Sequence, residues 1–226
     1  GVSFEVHPGK VVGIAGESGC GKSVTMKAIL QILEPTAKIV SGKVSLRMRT
    51  GSDDPNSAEE WIELTRQKPN SRIMRRIRGA EIALIPQEPM AAFSPVHTVG
   101  NQIMETILLH RKVSKAEARQ IAIDVFRAVG ISMPEQRIDS YSWELSGGLR
   151  QRAIIAMALS CNPRLLIADE PTTAIDVTTQ AQILKLLRRL QEERQTSIIF
   201  ITHDLGVIAQ MADEVVVMYL GMVMER

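Results

Sequence analysis

Aromatic residues, cysteines, net charge and long apolar runs are all scarce in this chain, and each shortage removes a class of explanation. Aromatics make up 4 % of the 226 residues. The basic stretch Arg72-Ile73-Met74-Arg75-Arg76-Ile77-Arg78 has none interleaved to stack on a base, so it is expected to be a short helix with a solvated face and not a nucleic-acid surface. A formal net charge of +2 supplies no strong field for nucleic acid or an anionic membrane. The two cysteines, Cys20 and Cys161, are too few for a metal cluster and form no disulfide framework, which points to a reducing, cytoplasmic compartment. No apolar run approaches the roughly 18 residues of a spanning helix, and the first residues do not have a signal-peptide layout. Any membrane role is therefore expected to come through a partner.

The 45 % hydrophobic content is enough to bury a substantial core, one domain with a subsidiary lobe. Within it, Gly16-Glu17-Ser18-Gly19-Cys20-Gly21-Lys22-Ser23 has the G-x-x-x-x-G-K-S spacing of a loop that turns backbone amides toward nucleotide phosphates. Glycines allow successive N–H groups to converge on one anion. Lys22 adds a mobile charge, worth about 4 kcal/mol at 4 Å and an effective dielectric of 20. Ser23 offers a hydroxyl to Mg²⁺, and the helix that starts here aims its positive end at the phosphates. Gly16, Ser18, Gly19, Cys20, Gly21, Lys22, Ser23 and Val24 are thus the candidate phosphate contacts. A buried strand at 10–15 before the loop and a helix at 23–30 after it complete the context.

Along the chain, residues 2–6 and 10–15 are expected to form a hairpin across the His7-Pro8-Gly9 turn. Strand patterns at 42–48 and 61–64 suggest a small antiparallel sheet, with a Gly-, Ser-, Asp- and Pro-rich loop at 50–57 between them. A buried strand at 81–85 leads to Gln87. Helical spacing through 99–129, broken near 110–114, predicts a helical lobe at about 91–145 between core segments 1–90 and 146–226. A loop is expected after Gly130 and Pro134, and a long apolar helix from Ser146 to about residue 160. Strands at 165–168, 197–202 and 214–218 then alternate with helices at 177–194 and 205–211. That alternation indicates an α/β fold with a mainly parallel sheet covered on both faces. The chain starts inside a strand-like segment and stops after an apolar one, so both ends are expected to continue.

Leu165-Leu166-Ile167-Ala168-Asp169-Glu170 delivers two carboxylates to the end of an apolar strand, where ligands gather in open α/β sheets. Asp169 is placed to hold Mg²⁺ with Ser23, and Glu170 to face an attacking water.

At Leu145-Ser146-Gly147-Gly148-Leu149-Arg150-Gln151-Arg152 the chain resembles the nucleotide-binding subunits of ATP-binding-cassette transporters, and the resemblance extends over nearly its whole length. It implies a P-loop NTPase of the ABC ATPase type that binds ATP and Mg²⁺. In that family the serine and glycines of one subunit meet the γ-phosphate held by the other, which would be the role of Ser146, Gly147 and Gly148. Gln87 resembles the glutamine that contacts metal or water. Ala174-Ile175-Asp176 resembles the loop that crosses the dimer interface, and His203 resembles the histidine that touches the γ-phosphate. The resemblance thus implies Glu170, His203, Lys22 and Gln87 as the catalytic set, Ser23, Gln87 and Asp169 as metal ligands, and Asp176 as a further nucleotide-site residue.

The wording around Gly16–Thr25, Ile167–Ala174 and Val177–Ile183 is similar to oligopeptide, dipeptide and nickel importer ATPases. It implies a second nucleotide-binding subunit, permease subunits and, indirectly, an extracytoplasmic solute-binding protein as partners, with no nucleic acid, at the cytoplasmic face of the cell membrane. Trp143 stands where histidine is common in the family. The family's adenine-stacking aromatic and C-terminal extension are expected outside this stretch. A soluble cassette ATPase of DNA repair or the ribosome is the alternative; repair cassettes of the structural-maintenance type carry a long coiled coil, and none lies between Ser23 and Ser146. A regulatory module that binds nucleotide without hydrolysing it is a further alternative, against which the complete Asp169, Glu170 and His203 set argues.

Overall fold

Every residue of Val11–Ala15 is buried, because this strand, β1, has a strand on each edge and a layer on each face. A computed structural model describes residues 1–49, 59–88, 92–173 and 175–226; the loop expected at 50–57 lies outside them. The main sheet runs in the order β4 (Ile82–Ile85), β5 (Leu165–Asp169), β6 (Ser197–Ile201), β1, β7 (Glu214–Tyr219), β8 (Met222–Glu225). The ladders are parallel from β4 through β7, and β8 closes the edge antiparallel. Strands such as Ser-Ile-Ile-Phe-Ile are apolar without alternation because both faces are covered.

Alternate residues separate the core into two layers. Val11, Ala83, Ile85, Leu166, Ala168, Ile198 and Phe200 face one cluster, and Val12, Ile14, Ile82, Ile167, Ile199 and Ile201 the other. The first is covered by α3 (Val99–His110), α4 (Lys115–Ala128), α6 (Gly147–Leu159) and α7 (Val177–Arg194). The second is covered by α1 (Lys22–Leu30) and a two-stranded antiparallel sheet, β2 (Ser45–Arg49) with β3 (Glu59–Glu63), which contributes Met48 and Ile62.

The break between α3 and α4 is local chemistry. Ser114 accepts the Glu117 N–H at 3.2 Å while the Glu117 carboxylate accepts the Ser114 N–H at 2.7 Å, a reciprocal cap that starts a new helix. The basic stretch forms α2 (Arg72–Arg76), with Arg72, Arg75 and Arg76 exposed. Arg78 turns inward to donate to the Leu30 and Gln31 carbonyls at the end of α1.

Two expectations fail. The opening hairpin does not form: the turn is present, with the Lys10 N–H donating to the His7 carbonyl at 3.1 Å, but residues 2–6 join no ladder. Both edges of β1 are already taken by β6 and β7, so no edge is open to a hairpin partner. Val2, Phe4 and Val6 pack against the second cluster instead, which is what their alternation encodes. The stretch after Pro134 is not a loop but a helical turn, α5 (Pro134–Arg137), with proline at the start where its missing N–H costs nothing.

Candidate functional site

Four neighbouring parallel strands, β4, β5, β6 and β1, end at one edge of the sheet. Glu170 and the Gly16–Ser23 loop follow β5 and β1 directly, and Gln87 and His203 are the second residues beyond β4 and β6. Residues nearly 190 positions apart thereby become neighbours, at the edge where open α/β sheets bind ligands.

Two points of the loop favour glycine for different reasons, close approach at Gly16 and a left-handed backbone at Gly21. A Cβ on Gly16 would stand 2.3 Å from the Met218 carbonyl oxygen and 2.8 Å from Cys20 Sγ. Gly21 caps α1 at φ 104°, ψ 7°, in the left-handed region. The β7–β8 turn braces the loop through the Gly221 N–H, which donates to the Cys20 carbonyl at 3.0 Å. Lys22 is only 5 % exposed; its ammonium donates to the Gly16 and Glu17 carbonyls at 2.6 and 2.9 Å. The charge is thus fixed inside the cradle. Val24 is exposed on α1. Cys20 and Cys161 are both free thiols.

Ser23 Oγ donates to Asp169 Oδ1 at 3.1 Å, so the structure joins the two residues assigned to a metal. Burial lifts the Asp169 carboxyl above its usual range; the Ser23 hydroxyl opposes this, the Glu170 charge adds to it, and the Lys22 and Lys27 charges oppose it. Among the described residues no cluster of three or more His, Cys, Asp or Glu could hold an ion unaided. One hydroxyl and one carboxylate fit Mg²⁺, which commonly completes its shell with water and substrate phosphate oxygens.

Glu170 has a left-handed backbone, φ 47°, and a side chain 13 % exposed. Its Oε2 accepts from Gln87 Nε2 at 3.2 Å and from Thr173 Oγ1 at 2.9 Å. Its Oε1 lies 3.4 Å from His203 Nδ1. Gln87 therefore meets Glu170, and no hydrogen bond among the described residues joins it to Ser23 or Asp169.

Ser146 caps α6, its Oγ accepting the Leu149 N–H at 3.4 Å. Gly147 is open: a Cβ there would have no neighbour within 4 Å. Gly148 lies against Thr179, whose Cγ2 would be 3.1 Å from an added Cβ. No hydrogen bond among the described residues links these three to the Gly16–Ser23 loop. Asp176 caps α7, accepting the Thr179 N–H and hydroxyl at 2.9 and 2.7 Å; the hydroxyl above all holds its carboxyl below the usual range. Trp143, exposed, stacks on Tyr141 with ring centroids 5.6 Å apart.

Two contacts escaped the sequence reading. Thr173 follows Glu170 by three residues, a spacing that could have suggested a hydroxyl within reach. Gln151, 1 % exposed, donates from α6 to the Pro171 carbonyl at 2.5 Å, tying the helix that begins at Ser146 to the turn beyond Glu170. No local pattern signals it.

The sequence model described as ABC transporter matches residues 1–173. The probable peptide ABC transporter ATP-binding protein y4tR of Sinorhizobium fredii is 51 % identical over 100 % of this chain and 63 % of its own length. The dipeptide transport ATP-binding protein DppD of Bacillus subtilis is 47 % identical over 100 % of this chain and 63 % of its own. The chain thus spans less than two thirds of the length of these curated relatives. Among solved structures, the dimeric structure of MJ0796, a bacterial ABC transporter cassette, matches with a TM-score of 0.79 and 26 % identity over 98 % of this chain and 86 % of that one. A post-hydrolysis dimer of the same cassette, bound to ADP and Pi, matches equally. The order of the strands, the loop that follows β1 and the carboxylates at the end of β5 thus come with shared sequence across the whole chain, and it belongs to the ABC transporter family.

Proposed function

We propose that this chain is the ATP-binding and ATP-hydrolysing cassette of a peptide importer. The observation that carries the reading is the meeting of Lys22, Asp169, Glu170, His203 and Gln87 at four adjacent strand ends. Peptide, dipeptide and oligopeptide transport in the names of relatives 46–51 % identical supports the substrate class.

The amides of residues 19–23 and the buried Lys22 ammonium bind the triphosphate, and α1 presents its N-terminus to the same charge. Ser23 and Asp169 would hold Mg²⁺, which when bound supplies neutralisation of phosphoryl oxygens. Glu170 orients a water and takes its proton; His203 steadies the γ-phosphate. The work is positioning plus charge stabilisation.

The Ser146-Gly147-Gly148 helix start is an open anion cap that its own phosphate loop does not engage. A second copy, or a homologous subunit, accounts for it: each protomer grips one nucleotide and seals the other's. Dimeric cassettes among the structural neighbours support this arrangement. We further infer that the helices of residues 91–145, next to Gln87, pass opening and closing to permease subunits at the cytoplasmic face of the membrane, fed by an extracytoplasmic solute-binding protein. No helix among the described residues is long and apolar enough to cross the bilayer.

The test is Glu170→Gln in the full-length subunit with its transporter. ATP binding is expected to persist while turnover falls by about 100-fold or more, the usual contribution of a general base. Parental turnover in this variant would end the assignment. Peptide-stimulated hydrolysis, compared with stimulation by nickel, tests the solute class.

A further inference from the structure

Three side chains surround the Glu170 carboxylate, Gln87 and Thr173 donating to Oε2 and His203 Nδ1 lying 3.4 Å from Oε1, and they differ in how they are mounted. Gln87 follows β4 and His203 follows β6, so their distances to Glu170 depend on how neighbouring strand ends lie. Thr173 sits in the same turn as Glu170: its N–H donates to the Glu170 carbonyl at 3.1 Å, and its hydroxyl to Glu170 Oε2 at 2.9 Å. The turn itself is held by the Glu170 N–H, which donates to the Ile201 carbonyl at 3.0 Å. Gln87 and His203 therefore move with their own strands, whereas Thr173 moves with Glu170.

We infer that Thr173 is a positioning residue for Glu170, its hydroxyl fixing Oε2 so that Oε1 remains turned to the attacking water when Gln87 and His203 engage the nucleotide. The inference rests on the reading of Glu170 as the base. A carboxylate on a left-handed backbone gains from Thr173 a donor carried by its own turn, so this one contact does not change when the β4 and β6 ends shift. Hydrogen bonds to charged groups are among the stronger ones, so the effect belongs in the chemical step and not in nucleotide affinity.

The experiment compares Thr173→Val with Thr173→Ser in the full-length subunit assembled with its transporter, by steady-state ATP hydrolysis and by fluorescent-nucleotide binding. Thr173→Val is expected to lower kcat about tenfold with KM for ATP within twofold; Thr173→Ser, which keeps the hydroxyl, is expected to stay within twofold of the parent in both. In a Glu170→Gln background, Thr173→Val should add no further loss. Parental kcat in Thr173→Val overturns the inference, as does equal loss in the valine and serine variants. So does a fall confined to nucleotide binding or thermal stability, which marks a purely structural hydroxyl. Glu170→Gln alone separates the two ideas: if it is slow while Thr173→Val is unimpaired, the base assignment stands and the positioning role falls. Parental turnover in Glu170→Gln removes both.

Discussion

Gly147→Ala separates what the fold needs at the start of α6 from what the composite site needs. An added methyl would meet no protein atom within 4 Å, and Gly147 is the first residue of a 13-residue helix. Alanine is favoured over glycine in helices by up to about 1 kcal/mol, less in a first turn, so the variant should unfold no earlier than the parent and up to about 2 °C later. If the proposed composite site is right, the same methyl stands where a partner's γ-phosphate is received. A clamp driven from 1:99 to 99:1 closed uses about 5.5 kcal/mol of differential binding. One charge-assisted hydrogen bond contributes about 1.5–3 kcal/mol. Losing one would leave between about 40 % and 90 % of the protein closed at saturating ATP: a loss of about 1.5 kcal/mol raises the ATP concentration for half-closure about 10-fold, and at a loss of about 3 kcal/mol half-closure is not reached. The assay is ATP titration of dimer formation by light scattering in a Glu170→Gln background, with thermal unfolding alongside. An unchanged titration in a fully stable variant would refute the composite site; an early melt would refute the packing argument.

Gly100→Ala should do the opposite. Its Cβ would stand 2.2 Å from Ile138 Cγ1 and 2.3 Å from the Ile138 carbonyl oxygen, which accepts the Gly100 N–H at 2.8 Å. The start of α3 must move, losing that bond and overpacking the site, for about 3 kcal/mol or more. A melt lowered by at least about 6 °C is expected, and a shift under 2 °C would contradict it. His110 gives a pH signature. Burial, with the ring against Gly79, holds its pKa below 6.5, so its neutral form is favoured in the fold. Its contribution is intact above the unfolded value and lost as pH falls from about 6.5 toward the folded one. The melting-temperature gap between the parent and His110→Gln should therefore narrow from pH 7.5 to pH 5, by differential scanning fluorimetry; a constant or widening gap counts against it.

Much of the fold was legible because its signals are local. The α7 and α8 (Leu205–Met211) boundaries follow from Asp176 and Asp204 as helix caps, and the α3–α4 break follows from Ser114 and Glu117. The opening hairpin was misread because alternation reports which residues are buried and not which edge accepts a ladder. That depends on β6 and β7, drawn from the far end of the chain.

The site divides along the same line. By itself the sequence determined the phosphate loop, since glycine spacing, lysine and serine are needed whatever surrounds them, and the Asp169–Glu170 pair at the end of an apolar strand. Only the tertiary structure decided that Gln87, Thr173 and His203 converge on one carboxylate, that Gln151 ties the Ser146 helix to the turn after Glu170, and that Gly147 faces outward. Parallel strands bring their ends together irrespective of separation along the chain, and the distances between side chains at those ends are set by register and packing, which no local pattern records.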